Sequence, residues 1–325
     1  MNPLEQLGLA SVEDDLVLLE GLLTESVVFG DGYLDAVTTH LIDAGGKRLR
    51  ALLAVASATS GERRATHDDL MGGVSLELMH VASLYHDDVM DEAEIRRNVD
   101  SVNARYGNLV AIVAGDYLMA RSAGIAADLG AQPASLMAHT LAWLTRGQVS
   151  EVRTSYSLDR TETDYFEAIE GKTATLMASS CRMGAMTADL AREETEALAE
   201  FGRCFGMVYQ LRDDILDLTA TDNQLGKPAG QDLAEGVYSL PTLFAIRDSR
   251  VADELRALLG RPLGDDDRER ARKLVVATDG IDRTVLAANR FLVDAHRAIA
   301  VLPSAKLRVG FTSLITSLLE DLPRY

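Results

Sequence analysis

The stretch that decides the fold of this chain covers residues 80–91 and reads HVASLYHDDVMD. Its outer aspartates, Asp87 and Asp91, are four residues apart, so a helix places them one turn apart on one face. Like charges at this spacing destabilise a helix by roughly 0.2–0.5 kcal/mol. Apolar residues such as Leu76 and Val81 precede the cluster. The pattern therefore indicates a strongly apolar helix whose last turn carries carboxylates that hold cations.

The same Asp-Asp-x-x-Asp pattern returns at residues 213–217, which read DDILD. It again follows apolar residues, among them Phe205 and Leu211. A solvated helix face would explain one such cluster, but two clusters that both end apolar helices fit that alternative poorly. Hard oxygen ligands with room for water and phosphate suit Mg²⁺. Facing each other, the two clusters would form a polynuclear site for a diphosphate.

Helical periodicity extends through nearly the whole chain. Long helices are predicted over residues 68–90, 162–190 and 193–218, with Asp68 or Thr66 as the N-cap of the first. The other predicted helices cover 12–23, 34–44, 49–60, 133–155, 241–248, 251–259, 265–277, 281–300 and 304–319, with one or two more in 101–129. We find no period-2 strand, hairpin turn, short repeat or composition shift. The sequence predicts one all-α domain over residues 1–325, a large bundle around a central cavity.

Composition narrows the functional classes. The net charge of −18 argues against nucleic-acid binding and disfavours an anionic membrane surface. Cys181 and Cys204 form neither a zinc pattern nor a disulfide framework, which fits a reducing cytoplasm. No signal peptide is evident, and Asp116 interrupts the most apolar stretch, residues 109–119. We expect a cytoplasmic protein without a transmembrane helix.

Basic and polar residues accompany the acids. GGKRLR at residues 45–50 combines close-approaching glycines with cations that open a helix, and Arg96-Arg97 follows the first acidic cluster. Each is weak alone, since basic pairs on surfaces are common. Lys172 and Thr173 follow a glycine, without the spacing of a Walker A loop. His80 and Gln210 share the helix faces of their neighbouring acids.

Taken in order, these motifs resemble the trans-isoprenyl diphosphate synthases, also called polyprenyl synthetases, over roughly residues 41–243. The matching segments are GGKRLR (45–50), HVASLYHDDVMD (80–91), RR (96–97), GD (115–116), GKT (171–173), YQLRDDILD (209–217), GKPAGQDL (226–233) and LPTL (240–243). The resemblance implies an all-α bundle around a deep apolar cavity, usually a homodimer. It also implies a Mg²⁺-dependent prenyltransferase that adds isopentenyl diphosphate to an allylic diphosphate by ionisation, 1′-4 condensation and elimination.

Carried over residue by residue, the resemblance assigns roles. The catalytic residues that it implies are Asp87, Asp88, Asp91, Lys172, Asp213 and Asp214. Three Mg²⁺ ions are implied once substrate is bound. The Mg²⁺ ligands would be Asp87, Asp91, Asp213 and Asp217. The allylic diphosphate would contact Arg96, Lys172, Thr173, Gln210 and Lys227. Isopentenyl diphosphate would contact Lys47, Arg50, His80 and Arg97.

Product length is expected to follow the helix turns before Asp87, each about 5.4 Å long. Ala82 and Ser83 are small, which leaves room for elongation where a bulky aromatic would block it. Met79 and Met119 are the candidate floors of the cavity. We expect a product of geranylgeranyl length or longer, up to octaprenyl or nonaprenyl.

The chain departs from the family pattern at three places. Val237 stands where many relatives have Lys, Ala51 where Pro is common, and Asn98 where Gly is common. Two alternatives stay open: a non-catalytic regulatory subunit of a heteromeric synthase, and a class I terpene cyclase. Product length, allylic primer, pathway and the choice between homomeric and heteromeric assembly are left open by the sequence.

Overall fold

The computed structural model of this chain describes residues 2–221, 228–320 and 322. These residues form two compact units, and each is considered by itself. Unit 1 comprises Met1–Leu141, Leu176–Gly202 and Ala298–Ser313, and unit 2 comprises Ala142–Thr175, Arg203–Arg297 and Leu314–Tyr325. Whether residues 1–325 make up a single domain stays a prediction.

Nearly all of the described elements are helices, so the all-α prediction is confirmed. In chain order they are α1 (Pro3–Leu7), α2 (Ala10–Glu25), α3 (Gly32–Asp43), α4 (Leu49–Thr59), α5 (His67–Met90), α6 (Val102–Tyr106), α7 (Asn108–Asp128), α8 (Ala131–Thr154), α9 (Glu162–Ile169), a π-helical turn (Glu170–Ala174), α10 (Thr175–Thr187), α11 (Arg192–Thr219), α12 (Gln231–Ala234), α13 (Leu240–Ala245), α14 (Ala252–Leu258), α15 (Asp265–Val276), α16 (Gly280–Ile299) and α17 (Ala305–Glu320). The predicted helices over 68–90 and 193–218 agree closely with these bounds, the one over 162–190 is divided, and α1 and α12 were not predicted.

Helix α5 is the central element of unit 1, where it packs against α2, α4 and α7. Thr66 is its N-cap, in a capping box in which the Thr66 and Asp69 side chains bond each other's backbone N–H. On the face towards α7, the hydroxyls of Ser75 and Ser122 each donate to the other residue's carbonyl oxygen. Such small buried residues let the two helices approach closely along their length.

A short β-hairpin follows α5 and was not predicted. Its strands, Ile95–Arg96 and Val99–Asp100, pair antiparallel. The two turn residues, Arg97 and Asn98, have φ values of 54° and 63°. Two consecutive positive φ angles are typical of a type I′ turn, which usually contains Gly or Asn. Asn98 suits this backbone, and an Arg at the first position hides the hairpin from the usual Asn-Gly or Asp-Gly search.

In unit 2, the predicted helix over residues 162–190 is interrupted by the π-helical turn Glu170–Ala174. Gly171 of this turn lies against Gly147 of α8, where a Cβ on Gly171 would come 2.8 Å from the Gly147 Cα. No side chain fits at this crossing. A π turn adds one residue to a helical turn, and such turns are frequent at functional sites.

The core of unit 2 is an aliphatic and aromatic cluster. Its buried members include Tyr165 of α9, Leu211 of α11 and Tyr238, which precedes α13. The Tyr238 hydroxyl accepts from the Gly260 N–H at 2.6 Å, so this ring is both packed and hydrogen-bonded. Packing in this cluster fixes the positions of α9 and α11, and therefore the positions of the polar residues that these helices carry.

One described helix, Asn108–Asp128, is long and apolar enough to cross a membrane by length and composition alone. Of its most apolar window, 39% is buried inside the protein. The core helix of a soluble protein meets the same criterion, so the expectation of no transmembrane helix stays a prediction.

Candidate functional site

The first acidic cluster lies at the C-terminal end of α5. Asp87 is half-buried and Asp91, the C-cap residue, is exposed. Asp88, between them, is fully buried. The cluster therefore presents its two outer carboxylates outward and turns the middle one into the protein, as the helical spacing predicts.

Asp88 is held by the hairpin arginine Arg96. Both Nε and Nη2 of Arg96 lie 2.6 Å from the same carboxylate oxygen, Oδ1. The other oxygen, Oδ2, is buried and has no hydrogen-bond partner. Burial raises the pKa of Asp88, although the Arg96 charge opposes that shift. In this structure the predicted allylic-diphosphate ligand Arg96 is thus an ion-pair partner of Asp88.

The predicted isopentenyl diphosphate residues also lie in unit 1. Lys47 is exposed in the loop before α4, and Arg50 is half-buried in its first turn. Burial, followed by the charges of Arg50 and Arg97, lowers the pKa of His80 well below its ordinary value. In the substrate-free protein the neutral imidazole of His80 is therefore favoured, and it can offer a hydrogen bond. The positive charge around it comes from the arginines.

Arg97 has a contact that the sequence did not indicate. Its Nη1 donates to the carbonyl oxygens of Leu41 and Gly45, the former at 2.6 Å. Its guanidinium also covers Gly46, where a Cβ would come 3.1 Å from the Arg97 Cζ. Arg97 thus fixes the glycine loop by hydrogen bonds to its backbone and by packing against Gly46.

The second acidic cluster lies near the end of α11 in unit 2. Asp213 is the accessible member, with 42% of its side chain exposed and the Arg212 Nη1 at 3.3 Å. Asp214 and Asp217 are buried. The Asp217 Oδ2 accepts from the Asp232 N–H at 3.4 Å, and its backbone carbonyl accepts from the Gly230 N–H. This cluster repeats the first one in keeping its first carboxylate accessible and its second buried.

Asp214 is fixed by a chain of hydrogen bonds. The Tyr165 hydroxyl donates to its Oδ2, and the Gln210 Nε2 donates to its Oδ1 at 2.8 Å. The Gln210 Oε1 in turn accepts from the Thr173 hydroxyl at 2.8 Å. Burial, with added repulsion from the neighbouring acids, raises the pKa of Asp214 to about 7, against the opposing effect of its two donors. Both polar atoms of Gln210 are therefore used within the protein.

Lys172 lies in the π turn and pairs with Glu151 of α8, with 2.6 Å between Nζ and Oε1. The lysine remains about one-third exposed. Sequence reasoning missed Glu151 and Tyr165, because nothing local marks a partner 21 residues from Lys172 or 49 residues from Asp214. These contacts exist only after the helices have packed.

The predicted chain-length residues lie along α5 and α7 of unit 1. Met79 and Ala82 are buried, while Ser83 and Met119 are half-buried. The Ser83 hydroxyl donates to the His80 carbonyl at 2.8 Å, which is a local bond within α5. Ser83 is thus the most accessible small residue of the set before Asp87.

The acidic clusters suit a metal that is shared with substrate. Among the described residues, no group of three or more His, Cys, Asp and Glu side chains is arranged to hold an ion. Mg²⁺ usually keeps waters and binds one or two carboxylates together with substrate phosphates. Asp87 and Asp91, with carboxylate oxygens only and partial exposure, fit that kind of ligand set.

The loop after α11 carries two residues that the sequence singled out, Lys227 and Val237. Lys227 lies outside the described residues. Val237 is half-buried, and its N–H donates to the Asp232 carbonyl at 2.8 Å. The preceding Gly236 has φ of 75° and lies against the Tyr156 ring, where a Cβ would come 2.4 Å from a ring carbon. Only glycine fits at position 236, so the turn before Val237 depends on it.

Comparison with known proteins identifies the family of this chain. The polyprenyl synthetase family model matches residues 31–278. A nonaprenyl diphosphate synthase from Mycobacterium tuberculosis is 37% identical over 309 residues, covering 94% of this chain and 92% of the relative. A heptaprenyl diphosphate synthase component 2 from Geobacillus stearothermophilus is 36% identical over 318 residues, covering 97% and 95%.

Solved structures give the same result for the fold. A polyprenyl synthase from Caulobacter crescentus CB15, complexed with calcium and isoprenyl diphosphate, has a TM-score of 0.91 at 29% identity and covers 98% of both chains. The all-α fold, the paired acidic motifs and these matches define a prenyltransferase. The chain belongs to the polyprenyl synthetase family, as its motifs indicate.

Proposed function

We propose that this prenyltransferase is a Mg²⁺-dependent synthase that condenses isopentenyl diphosphate with an allylic diphosphate. The product is a trans-polyprenyl diphosphate of C20 or longer. One observation carries the proposal: each acidic motif buries its second carboxylate on fixed partners and keeps its first carboxylate accessible. A purely structural helix end has no need of that arrangement twice. The names of the nonaprenyl and heptaprenyl relatives support the longer product lengths.

The proposed ligands divide by substrate. Asp87, Asp91, Asp213 and Asp217 hold the metal ions. Bound Mg²⁺ supplies neutralisation of the charge that develops on the departing pyrophosphate. Lys47, Arg50, His80 and Arg97 bind isopentenyl diphosphate, with His80 acting as a neutral hydrogen-bonding group. The residues proposed for the allylic diphosphate are Arg96, Lys172, Thr173, Gln210 and Lys227.

The chemistry needs no protein nucleophile. Lys172 supports the departing pyrophosphate as a point charge, and Gln210 contacts it with Thr173 supporting Gln210 through their hydrogen bond. Cleavage of the allylic C–O bond leaves an allylic cation. The terminal alkene carbon of isopentenyl diphosphate then forms a bond to C1 of this cation. The final proton passes to the released pyrophosphate. Apolar side chains such as Ala82 and Met79 keep water from the cation.

The assembly is proposed to be a homodimer. Three apolar residues of α7, Leu109, Ile112 and Val113, are exposed. An apolar helix face of this kind favours cover by a second copy. The name of the Geobacillus relative, a component 2, favours a second candidate, in which the chain works with a different subunit. Activity of the purified chain alone, with its mass in solution, separates the two. We propose a cytoplasmic location for either assembly.

The proposal is tested by incubating the purified protein with Mg²⁺, isopentenyl diphosphate and one allylic primer at a time. Dimethylallyl, geranyl, farnesyl and geranylgeranyl diphosphates serve as primers, and dephosphorylated products are identified by mass spectrometry. We expect one dominant chain of C20 or longer, lost on chelation and restored by Mg²⁺. If no primer gives product, the homomeric synthase is excluded, whereas a dominant C15 product would exclude the proposed length.

A binding measurement tests the metal ligands independently. Mg²⁺ with inorganic pyrophosphate should raise the melting temperature by several degrees, because ligand that binds only the folded state stabilises it. Asp87→Asn and Asp213→Asn should remove that shift. Asp128→Asn, at the exposed end of α7, is the matched control and should keep it. An undiminished shift in both motif variants would contradict the ligand assignment.

A further inference from the structure

The loop between α3 and α4 has an unusual backbone. Gly45, Gly46 and Arg48 have φ values of 82°, 157° and 46°. Glycine adopts such angles at little cost, but Arg48 is a non-glycine residue in the left-handed region, which costs of order 1 kcal/mol. Neighbouring contacts must hold it there. The same loop carries the exposed Lys47 and leads into Arg50.

The contacts of Arg48 explain how this backbone is held. Its side chain is 6% exposed and forms a two-pronged pair with Glu20 of α2, with Nε to Oε1 at 2.6 Å and Nη2 to Oε2 at 3.1 Å. Nη2 also donates to the carbonyl oxygen of Ile42, in the last turn of α3, at 2.8 Å. Nη1 lies 3.6 Å from Oε1 of the buried Glu77 of α5. One guanidinium therefore joins the loop to three helices.

The left-handed conformation also separates two adjacent cations. Lys47 is exposed, while Arg48 points into the protein. Arg97 covers the loop at Gly46 and bonds the Gly45 carbonyl. Arg97 and Arg48 therefore fix the loop backbone on either side of Lys47, and the Lys47 side chain stays accessible.

We propose that Glu20 and Arg48 are positioning residues for the substrate-binding loop, a role that rests on the proposed function of Lys47 and Arg50. Glu20 lies outside the sequence motifs, and Arg48 lies within the GGKRLR motif but was given no role in the site. The Glu20–Arg48 pair keeps the loop in the one conformation that presents Lys47 to the diphosphate of isopentenyl diphosphate. Its loss frees the loop without removing any group that touches substrate.

Glu20 is the residue to change, because its side chain is 45% exposed and its replacement leaves the core intact. Glu20→Gln keeps the shape and removes the charge that pairs with Arg48. Glu25→Gln is the matched control, since Glu25 lies on the same helix, is exposed and changes the net charge equally. Arg48 itself is a poorer choice, because a buried cation removed from three helices threatens folding.

Two measurements test the proposal. In the substrate-free protein, hydrogen exchange followed by mass spectrometry should show faster exchange in the peptide covering residues 41–50 for Glu20→Gln, with α5 peptides unchanged. In the synthase assay, the KM for isopentenyl diphosphate should rise about tenfold, because misplacement of a binding group weakens the bound geometry. The KM for the allylic primer and kcat should stay near the wild-type values, and Glu25→Gln should match wild type throughout.

Each contrary result has its own meaning. Unchanged exchange in the loop would overturn the role of the Glu20–Arg48 pair, and it needs no substrate or activity to be observed. Faster exchange with an unchanged KM for isopentenyl diphosphate would overturn the link to substrate binding. An inactive wild-type protein would instead exclude the proposed homomeric synthase, and the exchange comparison would still decide whether the pair holds the loop.

Discussion

Arg96 places two guanidinium nitrogens on a single oxygen of Asp88, both at 2.6 Å. The aspartate is fully buried, whereas the arginine is about one-third exposed. The second residue of the first acidic motif is thus a buried anion that depends on one partner from the neighbouring hairpin.

Removal of that partner should therefore destabilise the protein. We expect Arg96→Ala to lower the free energy of unfolding by about 2 kcal/mol, because the buried Asp88 loses its counter-charge. Asp88→Asn in the Arg96→Ala background should cost little more, since the unpaired charge is then gone. Urea denaturation of the wild type, both single variants and the double variant measures the coupling. Additive effects of the two changes would contradict the dependence of Asp88 on Arg96.

The accessible position of Ser83 makes it the test of product length. Ser83→Phe places a ring one turn before Asp87 and should shorten the dominant product by at least one isoprene unit. Ser83→Ala removes only the local bond to the His80 carbonyl and should leave the product unchanged. Mass spectrometry of dephosphorylated products gives the answer. An unchanged ladder in the phenylalanine variant would show that this part of α5 does not line the path of the growing chain.

Lys172 should matter for rate more than for folding. Lys172→Ala should lower kcat by roughly a hundredfold, the usual effect of losing one preorganised group that stabilises developing charge. Lys273→Ala is the matched control, because that lysine of α15 is 71% exposed and should leave kcat unchanged. Steady-state kinetics with a fixed primer compares them. A loss of less than threefold in Lys172→Ala would place the lysine outside the reaction.

The lowered pKa of Asp69 predicts part of the loss of stability at acid pH. Burial alone would raise its pKa, but bonds from Arg63, Thr66 and Thr187 outweigh burial and lower it below the ordinary value of 3.8. A lowered pKa in the folded state means that the carboxylate stabilises the fold above pH of about 4, and that this contribution is lost as the pH falls further. Asp69→Asn should therefore cost about 1–2 kcal/mol at pH 7 and flatten the stability profile below pH 5.

The adjacent Asp68 supplies the control for that experiment, because it is exposed in the first turn of α5. Asp68→Asn should keep the wild-type slope of stability against pH. Thermal or urea unfolding at several pH values measures both variants. Equal slopes for the wild type and Asp69→Asn between about pH 5 and pH 3 would mean that another carboxylate controls the acid response.

Sequence reasoning succeeded where local chemistry determines structure. The 3.6-residue periodicity located the long helices, and Thr66, one of two N-cap candidates, is the observed cap because its box partner is Asp69. Sequence reasoning failed where no residue type typical of a turn or a helix irregularity marks the position. The turn at Arg97 lacks glycine, and the π turn around Lys172 adds one residue within an otherwise helical pattern.

The same division holds for the candidate site. The roles assigned to the acids and bases of the family motifs stay predictions, and the partners that hold these residues in the fold were not foreseen. Glu20, Glu151 and Tyr165 reach the motifs across 28, 21 and 49 residues of sequence. Pairings over such distances depend on which helix faces pack together, and a single sequence does not contain that information in readable form.

The hairpin after α5 has a consequence for how mutations combine. Arg96 and Arg97 are adjacent residues of one six-residue element, yet the first holds Asp88 and the second holds the Gly45 carbonyl. A change that shifts the hairpin disturbs both contacts at once. We therefore expect substitutions that move the hairpin from the acidic motif to combine non-additively with substitutions in the glycine loop. The hairpin is thus an element through which a displacement at the acidic motif can reach the glycine loop.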